Sequence, residues 1–584
     1  MKIILQSMRG YRRDSILAPL LKMLEALLDL FVPFIMKDLI NVGIAQGDRH
    51  YVLTHAALLV GIGVFSLLIS ITAQYFAARA AVGAGTVMRR NLFAHISRLG
   101  AGEVDRYGNG HLITRMTSDI NQTQNGINLF LRLFLRSPFI VFGSAVCAFR
   151  INFRAALVFA AAIPLLAAVI FGIMKLTKPM YGQVQNSLDR ITGIVHENLT
   201  GVRVVRAFGR SDDEVRAFAA EDDRLVTLQK KVGRISALMN PLTLVIVNLA
   251  VAAILSTGAV QVNAGTLAMG DVIALVNYMT QILVELVKLA NLMIQISRSL
   301  ACAERIEEVM NIKPAMEFGK VSLWEASRGL ADGENEAVPA VEFENVCFRY
   351  GDSSGESLTG ISFRAMPGET IGIIGGTGSG KSSLVSLIPR FYDATGGCVR
   401  LYGRDVREYS RVSLRSAVGV VSQKARLFSG TIRSNLQFGD DEADDAAMWR
   451  ALEAAQAAEF VKEREGQLDA AVEQGGRNFS GGQKQRLTIA RALVGDPEIL
   501  ILDDSASALD YATDAALRKA VREMSGSRTI FIVSQRTNSV MGADRIIVLD
   551  DGAAVGIGTH AELMEKCEVY RAIYESQYGS AEEA

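Results

Sequence analysis

No charged residue occurs between Arg234 and Asp271. Two further stretches, Ala56 to Phe76 and Ala155 to Met174, are also free of charge. A helix needs about 20 mainly apolar residues to cross the roughly 30 Å hydrocarbon core of a bilayer. Because buried helices of soluble proteins are usually shorter than these stretches, we interpret all three as membrane-spanning helices.

Three further candidates for membrane spans carry charges within their apolar stretches. They run from Ser15 to Met36, from Asn128 to Phe149 and from Val272 to Ser297. Intramembrane charges usually face a bundle interior or a water-filled cavity. These charges therefore indicate either a substrate pathway, or pairing between helices or snorkelling of the charged side chains to the membrane interface. The sequence leaves both interpretations open. The charged residues concerned are Lys22, Glu25, Asp29, Arg132, Arg136, Glu285 and Lys288.

We accordingly predict an all-α transmembrane domain of six helices over residues 1–312. The loops after the second and fourth spans are long and rich in Ala, Arg, Leu and Asp, which favours helical extensions beyond the membrane. Because arginine-rich segments favour the cytoplasmic side, we expect a multi-pass protein of the plasma or inner membrane with a cytoplasmic N-terminus. The predicted spans are about 15–38, 53–77, 128–150, 155–177, 240–262 and 270–297.

The composition agrees with a membrane-embedded part joined to a soluble part. Hydrophobic residues make up 50% of the 584 residues and charged residues 21%, which excludes a disordered or collagen-like chain. The 61 basic and 61 acidic residues cancel, and this balance argues against a polycation that binds nucleic acid. The five cysteines are scattered without a CxxC pair, which argues against a disulfide framework and a zinc ribbon.

A soluble α/β domain is predicted after the membrane region. Residues 313–340 show little periodicity and are typical of a linker. From residue 341 onward, short β-rich runs alternate with helical stretches, which predicts a parallel sheet buried on both faces. We place this domain at residues 341–577, followed by a tail at 578–584. The strand-like runs are 341–348, 369–375, 418–423, 498–504, 528–535 and 545–550.

Residues 375–382 match the GxxxxGK[ST] pattern of P-loop nucleoside triphosphatases. The match follows a predicted strand and precedes a predicted helix that starts near Ser382, which is the context that the motif requires. Its backbone N–H groups can bind phosphate oxygens, Lys381 supplies a positive charge, and the Ser382 hydroxyl can bind magnesium. The residues predicted to bind ATP here are Gly375, Gly376, Thr377, Gly378, Ser379, Gly380, Lys381, Ser382 and Ser383.

Two further segments belong to the same chemistry. Asp503 ends an apolar strand, as expected for the acid on the magnesium side of a P-loop enzyme. A run of small residues also directly precedes a helical stretch, and such a helix N-terminus can bind an anion. Because the chain already has one phosphate site, the second predicts a nucleotide held by another subunit. Its residues are Phe479, Ser480, Gly481, Gly482 and Gln483.

With these motifs in this order, the chain resembles the ATP-binding cassette (ABC) transporters over nearly its whole length, in the half-transporter layout. The resemblance implies that Tyr350 stacks on adenine and that Gln423 binds magnesium together with Ser382 and Asp503. It also implies that residues 479–483 are the signature motif that serves the partner's ATP. The implied coupling-helix regions are Gly110–Asp119 and Glu197–Phe208, and the implied D-loop is Ser507, Ala508, Leu509 and Asp510.

The sequence departs from the family pattern at two catalytic positions. Asp504 stands where the family has a glutamate that polarises the attacking water, and its shorter side chain withdraws the carboxylate by about 1 Å. Gln535 stands where the family has its switch histidine. The only histidine after His196 is His560, which lies in a different segment. A glutamine can donate a hydrogen bond, but it cannot carry a proton or a charge as imidazole can.

We therefore expect a subunit of a multidrug-type bacterial exporter that uses ATP and Mg²⁺ to move small hydrophobic or amphipathic compounds. Its own ATP site should be slow, and its partner should be a second, different half-transporter with the missing Glu and His. Two alternatives stay open, namely an importer built on the exporter scaffold and a regulatory ATP-binding membrane protein with little hydrolysis. A soluble ATPase that acts on DNA is excluded by the uncharged spans, and the substrate is not defined by the sequence.

Overall fold

The computed structural model describes residues 2–323, 338–351, 355–505, 511–524 and 528–578. The chain divides into two compact units. The first, which we name the membrane unit, comprises Met1–Ser97 and Gly110–Ile312. The second, which we name the nucleotide unit, comprises Arg98–Asn109 and Lys313–Ala584. A short piece of the N-terminal half of the chain thus belongs to the C-terminal unit.

The chain up to Met310 is almost entirely helical. A short 3₁₀ helix covers Arg9–Tyr11, and π-helical turns cover Leu39–Ile44 and Arg115–Asp119. The α-helices are α1 Lys2–Ser7, α2 Arg12–Asp38, α3 Arg49–Ile96, α4 Ala101–Tyr107, α5 Asn109–Thr114, α6 Ile120–Leu133, α7 Arg136–Ile151, α8 Phe153–Thr200, α9 Val202–Ala207, α10 Ser211–Ala237, α11 Met239–Asn263 and α12 Met269–Met310.

Five helical stretches of the described residues are long and apolar enough to cross a membrane. The first predicted span, 15–38, lies in α2, which is outside this set because Lys22, Glu25 and Asp29 interrupt its apolar part. Six spans therefore remain a prediction. The five stretches are Arg49–Ile96, Asn109–Ile151, Phe153–Thr200, Ser211–Asn263 and Met269–Met310.

The long loops between spans are helical extensions, as predicted. Helices α3 and α8 each contain 48 residues, which at 1.5 Å per residue makes each about 72 Å long. That length is more than twice the roughly 30 Å of the hydrocarbon core. The helices therefore continue well beyond the membrane.

Arg136, one of the charges within the predicted spans, pairs with carboxylates on two other helices. The Arg136 guanidinium of α7 lies 2.9 Å from Asp29 of α2 and 2.9 Å from Glu285 of α12. Ser137 donates a hydrogen bond of 2.7 Å to the same Glu285. Pairing between helices, one of the two interpretations left open by the sequence, is thus realised here. The other ion pairs of this cluster are Arg136–Glu25 at 3.8 Å, Lys22–Glu25 at 2.6 Å and Lys288–Glu285 at 2.9 Å.

The nucleotide unit is built on a six-stranded sheet of the order β12-β11-β3-β10-β9-β6. All neighbours in it are parallel except the antiparallel pair β11 and β12, which confirms the predicted parallel sheet. The strands of this unit are β1 Val341–Phe348, β2 Leu358–Ala365, β3 Thr370–Gly375, β4 Gly396–Leu401, β5 Arg404–Asp405, β6 Val418–Val421, β7 Gly430–Thr431, β8 Ala471–Val472, β9 Ile499–Asp503, β10 Thr529–Val533, β11 Arg545–Asp550 and β12 Ala553–Gly558.

Helices cover this sheet and its flanks. The strand interiors are almost fully buried, because apolar side chains on both faces of the sheet pack under helices. The helices of this part of the chain are Lys381–Leu387, Arg411–Ala417, Ile432–Leu436, Asp445–Ala454, Ala458–Lys462, Gly481–Val494, Tyr511–Met524, Thr537–Val540, His560–Lys566 and Glu568–Tyr578.

The prediction that Val341–Phe348 belongs to the parallel sheet was wrong. This strand, β1, pairs antiparallel with β2 and β4 in a separate four-stranded sheet. Glu342 and Glu344 alternate with buried Val341 and Phe343 along β1, a pattern typical of a sheet with one solvated face. Phe343 stacks on Phe363 of β2 with ring centroids 4.6 Å apart.

Part of the predicted linker is attached to the nucleotide unit. Val321 forms a β-bridge with Tyr409, and the Leu323 amide donates to the Ser413 hydroxyl at 2.6 Å. The Gly319 amide donates to the Arg407 carbonyl at 3.1 Å. The start of the linker is therefore docked on this unit, while residues 324–337 lie outside the described residues.

We predict that Arg136→Met lowers the thermal stability of the detergent-solubilised protein markedly. Removing one partner of a buried ion pair costs about 3–5 kcal/mol, because the other charge stays buried, and the Glu285 side chain is only 3% exposed. The matched control is Lys288→Met, since the Lys288 side chain is 45% exposed. Equal melting temperatures of the two variants would contradict the account.

Candidate nucleotide-binding site

The loop between β3 and the helix Lys381–Leu387 is shaped for a ligand rather than for packing. Gly378 and Gly380 have φ values of +85° and +92°, which favour glycine. A Cβ atom at Gly380 would lie 2.6 Å from the Ser357 carbonyl oxygen. At Gly376 and Gly378 a Cβ atom would meet none of the described residues within 4 Å. The loop therefore packs against the protein at Gly380 and leaves open space beside Gly376 and Gly378.

Lys381 turns back into this loop. Its ammonium donates to the Gly375 carbonyl at 2.8 Å and also to the Gly376 carbonyl. Burial lowers the pKa of Lys381, and the nearby carboxylates of Asp504 and Asp503 oppose this effect. Hydrogen bonds between a charged ammonium and phosphate oxygens are stronger than those between neutral groups. The lysine is thus placed to bind an anion in the loop.

Ser382 and Asp503 form the candidate magnesium site. The Ser382 hydroxyl donates to Asp503 Oδ1 at 3.0 Å. Burial raises the pKa of the Asp503 carboxyl, the Ser382 hydrogen bond opposes this, and the neighbouring Asp504 adds to it. A hydroxyl and a carboxylate are the oxygen ligands that Mg²⁺ prefers, so the donor set fits this ion. When bound, the ion would neutralise charge on phosphate oxygens.

Asp504 lies beside Asp503 at the carboxyl end of β9. Its amide donates to the Val533 carbonyl of β10 at 2.9 Å, and its φ is +46°, a region in which aspartate is enriched among non-glycine residues. The Gln423 amide Nε2 donates to Asp504 Oδ2 at 3.1 Å. Two sequence-predicted residues that are far apart in the chain are therefore in direct contact.

The segment that carries Gln535 is tethered by the C-terminal helix. Gln577 Nε2 donates to the Gln535 carbonyl at 2.8 Å. Gln577 Oε1 accepts from both the amide and the hydroxyl of Thr537, each at 2.9 Å. Sequence reasoning missed Gln577, because a lone glutamine near the end of a chain carries no motif.

Tyr350 follows β1 and is 43% exposed. Its hydroxyl lies 3.0 Å from the Ser383 hydroxyl on the helix that begins at Lys381. The tyrosine is therefore connected to the P-loop helix and still presents part of its ring to solvent. This placement suits the predicted stacking on a purine base.

These groups line one pocket of about 410 Å³. Gly375 and Gly376 are outside the lining and supply carbonyls to Lys381 instead. Sequence reasoning missed six lining residues, although the Asp-Gly turn that follows β11 marks the carboxyl edge of the sheet, where ligands of α/β proteins bind. The predicted residues in the lining are Tyr350, Thr377, Gly378, Ser379, Gly380, Lys381, Ser382, Ser383, Gln423, Asp503, Asp504 and Gln535, and the missed ones are Glu356, Ser357, Val533, Ser534, Asp551 and Gly552.

The signature segment lies at a separate helix N-terminus. Ser480 caps the helix Gly481–Val494, and its hydroxyl accepts from the Gln483 amide. Phe479, in place of the family leucine, is buried with the Arg464 guanidinium 3.9 Å from its ring centroid. Among the described residues, the lining of the P-loop pocket includes none of this segment. The D-loop residues Ser507–Asp510 lie outside the described residues.

The expected coupling regions belong to the membrane unit. Asp119 accepts two hydrogen bonds from Arg305 of α12, at 2.6 and 3.0 Å, and the other region contains α9. In contrast, the preceding helix α4 belongs to the nucleotide unit, where the Tyr392 hydroxyl donates to Asp105 at 2.6 Å. Sequence reasoning missed this helix because it carries none of the expected motif residues.

Comparisons with known proteins identify the family of this chain. Residues 15–286 match the profile of the ABC transporter transmembrane region, and residues 358–507 match that of the ABC transporter. An uncharacterized ABC transporter ATP-binding protein of Mycobacterium tuberculosis is 34% identical over 99% of this chain and 98% of its own length. The chain belongs to the ABC transporter family.

Two further comparisons describe this ABC transporter more closely. An ATP-dependent lipid A-core flippase of Desulfotalea psychrophila is 32% identical over 84% of each chain. The structure of a bacterial Atm1-family ABC exporter with ATP bound matches with a TM-score of 0.79, at 24% identity, over 98% of this chain and 99% of that chain. The chain thus has the exporter-type fold of a multi-pass half-transporter, with one transmembrane region and one ATP-binding domain.

We predict that Gln577→Ala loosens the segment around Gln535. A hydrogen bond contributes about 1 kcal/mol, so the Thr537 amide should exchange its hydrogen about fivefold faster in the variant. The control is Ser576→Ala on the same helix, because the Ser576 hydroxyl donates to Ile573 within that helix. Unchanged exchange at Thr537 in Gln577→Ala would contradict the tether.

Proposed function

We propose that this half-transporter is one subunit of a heterodimeric, ATP-driven exporter of small hydrophobic or amphipathic compounds. Its own P-loop binds ATP and hydrolyses it slowly, and its signature motif completes the active site led by the partner. The observation that carries the proposal is that Asp504 and Gln535 line the same pocket as an intact Lys381 and Asp503.

The position of Asp504 supports slow hydrolysis. A general base must lie within hydrogen-bond reach of the water that it activates, and the aspartate side chain is one methylene shorter than that of glutamate. A displacement of about 1 Å can cost roughly 10²-fold in rate. The Asp504 carboxylate also accepts the 3.1 Å hydrogen bond from Gln423, which directs one of its oxygens at a neighbouring side chain.

The residue Gln535 supports the same conclusion. Its amide can donate a hydrogen bond to a terminal phosphate, but it cannot supply a positive charge or a proton. The tether from Gln577 to the Gln535 carbonyl holds the main chain at this point. The main chain at Gln535 is therefore tethered, whereas the Gln535 side chain lacks the charge and the proton of the family histidine.

Intact binding residues next to altered catalytic ones support a division of labour between subunits. A homodimer would contain two slow sites, so we propose a partner with Glu and His at the matching positions. ATP bound at both sites would favour the closed pair of ATP-binding domains and shift the population of transporter conformations. Hydrolysis at the partner-led site would reopen the pair.

The membrane unit supports an apolar or amphipathic cargo. Large apolar side chains such as Leu53, Val60 and Leu67 are 58–69% exposed along α3, as expected for helices that face lipid or an apolar cargo. The relatives named as lipid A-core flippases make an amphipathic lipid a second cargo class. Transport assays should therefore include a fluorescent lipid beside hydrophobic small molecules, and accumulation instead of extrusion would favour an importer.

We predict low steady-state ATPase activity for this chain purified without a partner and placed in lipid nanodiscs. The variant Asp504→Glu/Gln535→His should raise the rate by about 10²-fold, because it returns the longer carboxylate and the imidazole. The control is the same variant with Lys381→Ala, which should remove the gain by weakening ATP binding. Robust turnover of the unaltered chain would contradict slow hydrolysis and the heterodimer with it.

A further inference from the structure

Tyr392 lies between the tyrosine of the nucleotide pocket and a helix inserted from the membrane-spanning half of the chain. All parts of this arrangement belong to the nucleotide unit, because that unit includes residues 98–109. Tyr392 follows the P-loop helix in sequence and is outside the lining of the nucleotide pocket as far as the described residues define it. None of the motifs analysed above assigns it a role.

On one side, Tyr392 contacts the aromatic residues of the pocket. Its ring meets the ring of Tyr350 edge-on, with centroids 5.2 Å apart and an interplanar angle of 85°. Phe348 contacts both, at 4.7 Å from Tyr350 and 5.6 Å from Tyr392. Aromatic pairs prefer edge-to-face arrangements of this kind, so the orientation of the Tyr392 ring depends on that of Tyr350.

On the other side, Tyr392 holds α4. Its hydroxyl donates to Asp105 Oδ2 at 2.6 Å, a short bond of the kind formed between a hydroxyl and a carboxylate. Burial raises the pKa of the Tyr392 phenol, and the bond to Asp105 raises it further, so the phenol stays a donor at neutral pH. A Cβ atom at Gly102 would lie 3.8 Å from the Tyr392 ring, so the backbone of α4 also packs near it.

A second contact secures the same helix to the nucleotide unit. The Ala315 amide donates to Glu103 Oε1 at 2.8 Å, which joins α4 to the start of the docked linker. The helix lies between α3 and α5 in the chain, and both of these belong to the membrane unit. The covalent chain therefore joins α4 on both sides to helices of the membrane unit.

We propose that Tyr392 is a positioning residue that links a purine base stacked on Tyr350 to the orientation of α4. The base orders the Tyr350 ring, the edge-to-face contact orders Tyr392, and the Asp105 hydrogen bond orders the helix. The triphosphate would bind at the P-loop, away from the Tyr350 ring, and the proposal therefore assigns the effect on α4 to the base. This proposal rests on the proposed function, in that ATP must bind with its base against Tyr350.

The test measures hydrogen exchange of residues 102–107 in the full chain in lipid nanodiscs, with and without ATP. In the unaltered protein, ATP should slow the exchange about fivefold, and inorganic tripolyphosphate, which has no base, should slow it less than twofold. In Tyr392→Phe, which keeps the ring and removes the hydroxyl, saturating ATP should leave the exchange unchanged. Asp105→Asn keeps an acceptor oxygen and should retain part of the effect.

The matched control is Tyr107→Phe, which removes a hydroxyl from an exposed tyrosine of the same helix and should respond to ATP like the unaltered protein. A direct ATP titration of each variant accompanies the measurement, and Tyr392→Phe should bind ATP within about twofold of the unaltered affinity. Equal slowing by ATP in Tyr392→Phe, or equal slowing by tripolyphosphate in the unaltered protein, overturns the proposal and leaves the proposed function intact. Failure of the unaltered protein to bind ATP overturns both.

Discussion

The parallel alignment of β3, β10 and β9 is the constraint on which the nucleotide site depends. In the register of these strands, Val533 of β10 lies opposite Ile373 of β3 on one side and opposite Asp503 of β9 on the other. Because parallel strands end at the same edge of the sheet, the P-loop, the Asp503–Asp504 pair and Gln535 follow at one edge. A single slip of register would separate the residue pairs that make the site.

Residues that belong to contiguous motifs could be predicted from the sequence. The uncharged stretches and the P-loop depend on local composition and spacing, and the structure places them in long apolar helices and at a strand-to-helix turn. The β1 strand was assigned to the wrong sheet, because its alternating burial indicates one solvated face but not which strands are its neighbours. Pairing of Arg136 with Asp29 and Glu285 was one of two open interpretations, since the sequence does not fix which helix faces meet.

Residues that act through single long-range contacts could not be predicted. Gln577 reaches Gln535 and Thr537, and Tyr392 reaches Asp105, across wide separations in sequence and without a recurring motif at either end. Both contacts have the same character, in that a side chain outside the pocket fixes the main chain or helix next to it. The Gln577 contact holds the segment that carries the pocket residue Gln535, whereas the Tyr392 contact holds α4, which carries none of the pocket residues.

The nucleotide pocket combines a complete phosphate cradle with altered catalytic groups. Lys381, Ser382 and Asp503 keep the contacts expected of a site that binds ATP with magnesium, whereas Asp504 and Gln535 lack reach and charge. The proposed function accordingly separates ATP binding from hydrolysis on one chain. Under this proposal, the subunit would keep its ATP bound, and the ATP-binding domains closed, for longer than a subunit that hydrolyses ATP promptly.

The most direct measurement of this claim is a single-turnover experiment with labelled ATP and Mg²⁺ on an excess of the full chain. The account predicts that ATP binds promptly and is recovered intact long after binding is complete, whereas the Asp504→Glu/Gln535→His variant converts it to ADP about 10²-fold faster. Conversion to ADP at the same rate in both proteins would contradict the account.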